Sequence, residues 1–395
     1  MRILIPMIAS LLPLLALLLM GTGAGPAAGA VPPTAQPPTG PSPVELPADS
    51  AIRCPLLPKD REGDVCKVAY SPDGRTLLAG GGDFVRLFDP ATGRAVAAYK
   101  PGGGSVALAF AQGGLALAAP VAVGRLALLE PTTGRPIRGL DPPAWDDRGW
   151  DTAATCSPDG RTVAGAFSNG EVALWDAATG RLTRVLPAHI IPAHAVGPNK
   201  EFIQPPTPVE VLSLAFSPDG ATLFGSSQRL LRAWDVASGR ERPMERPAGC
   251  SFDCGLAVSP DGATLAIGQI HIPEGSKIMT HSIALWDAAT GRRRTELATE
   301  ACVLAVGFLP GGRSLAALEH RRTLRLWDLA SGRPTAAVRF EEHFRFEPSS
   351  STISLAVSPD GKQVAIGGYS SDPMFGVIGL VEVDGQKLGP WKPKP

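Results

Sequence analysis

An excess of charge of either sign is missing from this chain: 37 Lys+Arg residues balance 37 Asp+Glu, and the formal net charge is zero. A balanced chain has no electrostatic footprint for a polyanion, so DNA and RNA are not expected partners. Aromatic residues are few, at 6%. The sequence contains no Gly-x-Ser-x-Gly elbow, no His-Glu-x-x-His, no phosphate loop and no calcium loop, which sets aside the common signatures of hydrolases, zinc proteases, nucleotide-binding enzymes and calcium sensors. The glycine-rich run Gly21 to Gly25 lies in an apolar leader and says nothing about nucleotides. The 6 His are scattered without the tight ligand spacing of a metal site, and no cofactor or metal is expected.

Turn residues, by contrast, are plentiful. With Gly 45 and Pro 40, more than a fifth of the 395 residues favour chain reversal, while a hydrophobic fraction of 44% is enough to bury a large core. That combination suits many short strands joined by tight turns.

The N-terminus reads as an export signal over residues 1 to 30: Arg2, an apolar run from Ile3 to Met20, then small residues ending in Ala28-Gly29-Ala30. The run just reaches membrane-spanning length, so a retained N-terminal anchor is the alternative, and the only route to a membrane. A periplasmic, envelope or secreted location is expected. Residues 31 to 50 are rich in Pro, Thr, Ser, Gly and Ala and read as an extended spacer, with the folded domain over 51 to 395.

That domain is a repeat. The stretch Glu171 to Arg181 ends a strand in Trp175-Asp176 and turns through Thr179-Gly180-Arg181. Trp-Asp returns as Trp234-Asp235, Trp286-Asp287 and Trp327-Asp328, and in weakened form as Phe88-Asp89 and Leu129-Glu130, each followed by Thr-Gly-Arg or Ser-Gly-Arg. A second marker, Ser-Pro-Asp-Gly, begins at Ser71, Ser157, Ser217, Ser259 and Ser358, with degenerate copies at Ala111 to Gly114 and Leu309 to Gly312. Together they define seven units, none able to bury its apolar face without neighbours. In the third unit, Ala153 to Cys156 reads as an inner strand, Ser157 to Gly160 as a type I turn, Thr162 to Phe167 and Val172 to Trp175 as two further strands, and Leu182 to Leu186 as a fourth.

From Cys66 to Val383 this pattern resembles the WD40 repeat family. The resemblance implies an all-β, seven-bladed propeller of four-stranded antiparallel blades, monomeric, and a non-catalytic platform for protein partners. A six-bladed Tol-system propeller shares the Ser-Pro-Asp-Gly turns but lacks the Trp-Asp plus Thr-Gly-Arg signature. One departure matters: no Gly-His precedes the inner strands, so the buried His-centred network common in the family is not expected, and blades must cohere by apolar packing and backbone ladders. The seventh unit, Ile353 to Leu388, has Val381-Glu382-Val383-Asp384 in place of Trp-Asp. Its fourth strand would come from Lys387 to Trp391 or from Ile52 to Leu57 pairing across the seam.

In such a blade, the first-to-second and third-to-fourth turns share one face, and here they are nearly uniform. The opposite face carries the insertions Asp141 to Trp150, Pro187 to Glu210, Gln269 to Ser282, Arg339 to Thr352 and Tyr369 to Gly376, together with His189, His194, His271, His281, His320 and His343. Trp145, Trp150, Phe202, Phe344, Phe346 and Phe375 on these loops are the candidate partner anchors, because large exposed aromatics dominate binding energy. Phe88, Asp89 and the four Trp-Asp pairs are read as structural. Asp146-Asp147, between Trp145 and Arg148, reads as a polar loop. In an oxidising compartment Cys54 with Cys66, and Cys250 with Cys254, are candidate disulfides, and Cys156 and Cys302 read as buried thiols. The rival function is a hydrolase or lyase, or a sugar- or peptide-binding protein, working in the central funnel; it would need Asp, Glu or His converging on the axis.

Overall fold

The computed structural model describes residues 41–46, 51–54, 67–81, 84–99, 109–111, 116–122, 125–141, 151–167, 169–188, 190–191, 194–196, 202–204, 207–227, 230–245, 250–251, 255–271, 279–340, 344–345, 354–371 and 374–392. The leader (1 to 30), Trp145, Trp150, Phe346, Cys66 and Cys254 lie outside them.

Local chemistry sets the turns. In Ser71-Pro-Asp-Gly the Ser71 hydroxyl donates to Asp73 Oδ1 (2.6 Å), Asp73 Oδ1 also accepts from Arg75 N (3.0 Å), and Thr76 N donates back to Ser71 Oγ (2.9 Å). The same bonds recur at Ser157, Ser217, Ser259 and Ser358. At the far end of each unit, Asp176 Oδ1 accepts from Thr179 N (2.7 Å) and Oγ1 (2.6 Å), as Asp235 does from Ser238, Asp287 from Thr290 and Asp328 from Ser331. Both turns therefore close on themselves, and each strand pair returns antiparallel.

The result is an all-β propeller with four-stranded antiparallel blades. Sheets of four strands follow in order: Lys67–Tyr70, Leu77–Gly81, Phe84–Phe88 and Ala95–Tyr99; Ala109–Ala111, Ala116–Ala122, Arg125–Leu129 and Pro136–Gly139; Asp151–Cys156, Thr162–Phe167, Val172–Asp176 and Leu182–Leu186; Ser213–Phe216, Thr222–Ser226, Leu231–Asp235 and Glu241–Arg242. The fifth sheet, Leu256–Val258, Thr264–His271, Thr280–Asp287 and Arg293–Thr299, gains Cys250–Ser251 on its inner edge. The sixth, Val303–Phe308, Ser314–Glu319, Thr323–Asp328 and Arg333–Arg339, gains a parallel strand, Val44–Glu45, on its outer edge.

Two expectations are corrected here. The first concerns blade number: six sheets of four or five strands are followed not by a plain seventh blade but by a six-stranded composite. Its backbone is Gln363–Ser371 and Met374–Asp384, with Phe344–Arg345 and Leu355–Val357 end to end on one edge. On the other edge, Ala51–Cys54 pairs with Gly376–Gly379 and Lys387–Pro390 with Val381–Asp384. Both candidates for the outer strand are thus used, each covering half of one long strand. The second correction concerns the spacer assigned to residues 31 to 50. Its end is built into the fold, with Val44–Glu45 paired to Val338–Arg339 and Leu46 packed in the core beside Phe340.

Apolar cores lie between successive sheets. Trp175, Trp234, Trp286 and Trp327 are almost wholly buried, as is Phe88. Each large ring needs a gap opposite: a methyl group added at Gly165 would sit 3.0 Å from the Trp175 ring, and one at Gly225 2.9 Å from Trp234. Val68, Leu77 and Ala79 of the first sheet pack with Ala365, Ile378, Leu380 and Trp391 of the last, so the two ends of the chain meet. The Ser-Pro-Asp-Gly turns also nest round the axis. A methyl at Gly262 would lie 3.2 Å from Pro218, one at Gly361 2.9 Å from Pro310, and one at Gly74 3.4 Å from Pro359, the last again joining first sheet to last.

Candidate functional site

The two faces differ in how much of their chemistry the fold consumes. On the uniform face, the Trp-Asp carboxylates are spent on their own turns. At Asp287 the Thr290 amide, then the Arg294 guanidinium, hold the carboxyl down at about 2. Arginines of the outer strands reach sideways: Arg138 Nη1 donates to Thr179 O (3.3 Å), Arg184 Nη2 to Ala237 O (2.9 Å) and Arg242 Nη2 to Ala289 O (2.6 Å), each acceptor lying in the next sheet's Trp-Asp turn. These groups serve structure. Of the Phe-Asp and Trp-Asp pairs, the five aromatic rings are buried and the five carboxylates are bonded within their own turns.

The insertion-bearing face is different. Within the insertion Pro187 to Glu210, Ile190–Ile191 pairs antiparallel with Thr207–Pro208 and His194–Val196 with Phe202–Gln204, which sets Phe202 opposite Val196. Phe344 pairs with Ser370, and Ser370 with Phe375, so two candidate anchors from separate loops occupy one row of the last sheet. Trp145, Trp150 and Phe346 are not among the described residues.

Of the histidines, His271 and His281 face Thr280 and Ile270 across one hairpin, and His320 sits in the turn after Glu319. Burial, then the neighbouring His320, hold His281 below the usual imidazole range. Among the described residues no group of three or more His, Cys, Asp or Glu is arranged to hold a metal ion.

The inner strands are the first of each sheet. Their described side chains are mostly small or apolar, as in Leu214-Ala215-Phe216, Leu256-Ala257-Val258 and Leu355-Ala356-Val357. Lys67 is the charged exception, with its ammonium held below the usual range by burial. No Asp, Glu or His converges there among those side chains.

Sequence reasoning missed one cluster. Arg325, two residues before Trp327, is buried, donates from Nε to Glu319 Oε2 (3.1 Å) and pairs with Glu300. Arg232 and Arg86 hold the same place before Trp234 and Phe88: Arg232 pairs with Glu241 (3.0 Å), and Arg86 lies 5.2 Å from the Phe84 ring centre. The signal was available, because an arginine inside an otherwise apolar strand beside the signature Trp requires a partner.

Comparison with known proteins agrees with the repeat. The family described as "WD domain, G-beta repeat" matches residues 57–89 and 199–235. Telomerase protein component 1 of Mus musculus is 28% identical over 241 residues, covering 60% of this chain and 8% of that protein. The LST8 homolog of Drosophila melanogaster is 30% identical over 166 residues, 38% of this chain and 49% of that protein. The chain therefore spans less than half of either relative. Among solved structures, Kuenenia stuttgartiensis hydrazine synthase superposes with a TM-score of 0.64 at 17% identity, over 83% of this chain and 98% of that one, a likeness of fold alone. The repeat signatures and the four-stranded blades agree with that match, and the WD40 repeat family is the one that they support.

Proposed function

We propose that this protein is a non-catalytic platform that binds a protein partner through its insertion-bearing face. The observation that carries this reading is the contrast between faces: turns of one chemistry on one side, and on the other the short strand pairs within 190 to 208 and the Phe344, Ser370, Phe375 row. Binding residues concentrate on loops that a rigid scaffold holds but does not need. WD40 propellers are mostly interaction scaffolds, and the apolar inner strands favour that role over funnel chemistry. Replacing residues 190 to 208 by a two-residue turn should abolish capture of the partner from a cell-envelope fraction while the melting temperature holds. Undiminished capture would refute the assignment.

The platform works outside the cytoplasm, a reading supported by Arg2, the run Ile3 to Met20 and Ala28-Gly29-Ala30. Mass spectrometry of the purified protein should find a mature N-terminus at Val31. An intact Met1 on membrane-bound protein would favour the retained anchor, and on soluble cytoplasmic protein would overturn export.

A further inference from the structure

We propose that the end of the seam between the fifth and sixth sheets, on the insertion-bearing face, binds one alkylammonium group, the head of a lysine side chain, through Glu319 and Glu300. Side chains alternate along the sixth sheet. Leu315, Ala317 and Trp327 pack in one core with Leu285 and Ile283 of the fifth, so Glu319 and Arg325, in step with them, face the fifth sheet at the end of that seam. One guanidinium there serves two carboxylates: Arg325 bonds Glu319 Oε2 through Nε and Glu300 Oε2 through Nη2.

When Glu319 is ionised that leaves a negative charge over, and one acceptor is unused. Glu319 is 1% exposed, and its Oε1 has no hydrogen-bond partner. A buried carboxylate oxygen without a donor is costly, and the deficit is met by a donor that also brings positive charge. Glu300, whose side chain is 53% exposed, is the approach from solvent.

The two arginines of the adjoining turn do not fill this place. Arg322 donates from Nη1 to Phe340 O (3.1 Å), and Arg321 is exposed at the tip. Both have left-handed φ, 71° and 65°, which fixes the course of the turn. His320 N donates to Cys302 O (2.7 Å). His281, on the fifth sheet, is held below the usual imidazole range by burial and by His320, and its buried Nδ1 also has no partner. Burial, offset by Arg325 and reinforced by Glu300, pushes Glu319 up to about 7, so an entering cation would displace a proton.

The inference rests on the platform reading only for the source of the lysine; the site itself is tested without a partner. In full-length protein carrying 13C at glutamate carboxyls, the Glu319 resonance is identified by its loss in Glu319→Gln. Its midpoint should fall by about one unit in n-butylammonium chloride, since proton and cation compete for one carboxylate. Glu300→Gln should reduce that shift. A midpoint that does not move, that moves as far in sodium chloride or n-butanol, or that shifts fully in Glu300→Gln, overturns the site. Any of these results leaves the platform reading to its own tests.

Discussion

Arg184 Nη2 donates to the main-chain oxygen of Ala237 at 2.9 Å, across 53 residues of sequence and one step round the ring. Arg138 and Arg242 make the same link before and after it. Backbone contacts accompany these bonds: Asp141 N donates to Gly180 O (2.8 Å) and Glu245 N to Gly291 O (2.7 Å). In a propeller lacking the Gly-His element, such rim links help join blades that otherwise cohere by apolar packing. Replacing Arg138, Arg184 and Arg242 singly by Ala should each cost about 0.5–1.5 kcal/mol in urea unfolding. The acceptors are neutral carbonyls, and Asp176 and Asp235 add a Coulombic attraction to these arginines, so the losses should shrink only in part between low and high salt. A loss that disappears in high salt would assign the effect to charge instead.

Trp175 is buried against Leu126, Val163 and Phe167, and its Nε1 donates to Asp141 O (2.7 Å). Trp175→Ala should lower stability by about 3–5 kcal/mol. A thermal midpoint equal to wild type would refute its place between blades.

Two glycines separate backbone strain from crowding. Gly385 (φ 61°) has nothing within 4 Å of an added methyl, whereas Gly361 (φ 70°) would place one 2.9 Å from Pro310. Gly385→Ala should cost about 1 kcal/mol from its left-handed φ alone. Gly361→Ala should cost clearly more, because the nested turns must also part. Equal losses would deny the Pro-Gly nesting any role.

Glu319 makes stability depend on pH in a predictable direction. Its folded-state value, about 7, lies above the ordinary 4.5, so the folded protein holds the proton more tightly than the unfolded chain does. The advantage is complete below about pH 4.5 and is lost as pH rises through about 7. Glu319→Gln removes that dependence. The stability of the variant relative to wild type should therefore rise by on the order of 2–3 kcal/mol between pH 4.5 and 8. A constant difference across that range would place Glu319 at an ordinary carboxylate value.

The parts legible in the sequence were those decided within a few residues. Ser157 to Gly160 and Asp176 to Arg181 close their own hydrogen bonds, and the strands they join, Thr162–Phe167 and Leu182–Leu186, fall where the pattern put them. What escaped depends on contacts between distant segments. Val44–Glu45 reads as spacer because a Pro-rich stretch has little to pack, yet two residues suffice to pair with Val338–Arg339 once that edge exists. The shared outer edge of the last sheet, half from Ala51–Cys54 and half from Lys387–Pro390, could not be chosen from composition, since either segment fits the ladder. Of the candidate anchors, sequence placed Phe344 and Phe375 in separate loops; only the strand register sets them in one row.

The central claim is that partners bind the insertion-bearing face, and the direct measurement is partner affinity across two sets of variants. Phe202→Ala, Phe344→Ala and Phe375→Ala should include changes that weaken binding by more than about 1–2 kcal/mol with the melting temperature nearly unchanged. Arg94→Ala, Arg181→Ala and Arg292→Ala, on the uniform turns, should leave affinity as it is. Affinity lost in the arginine set and kept in the phenylalanine set would contradict the account and move the binding surface to the opposite face.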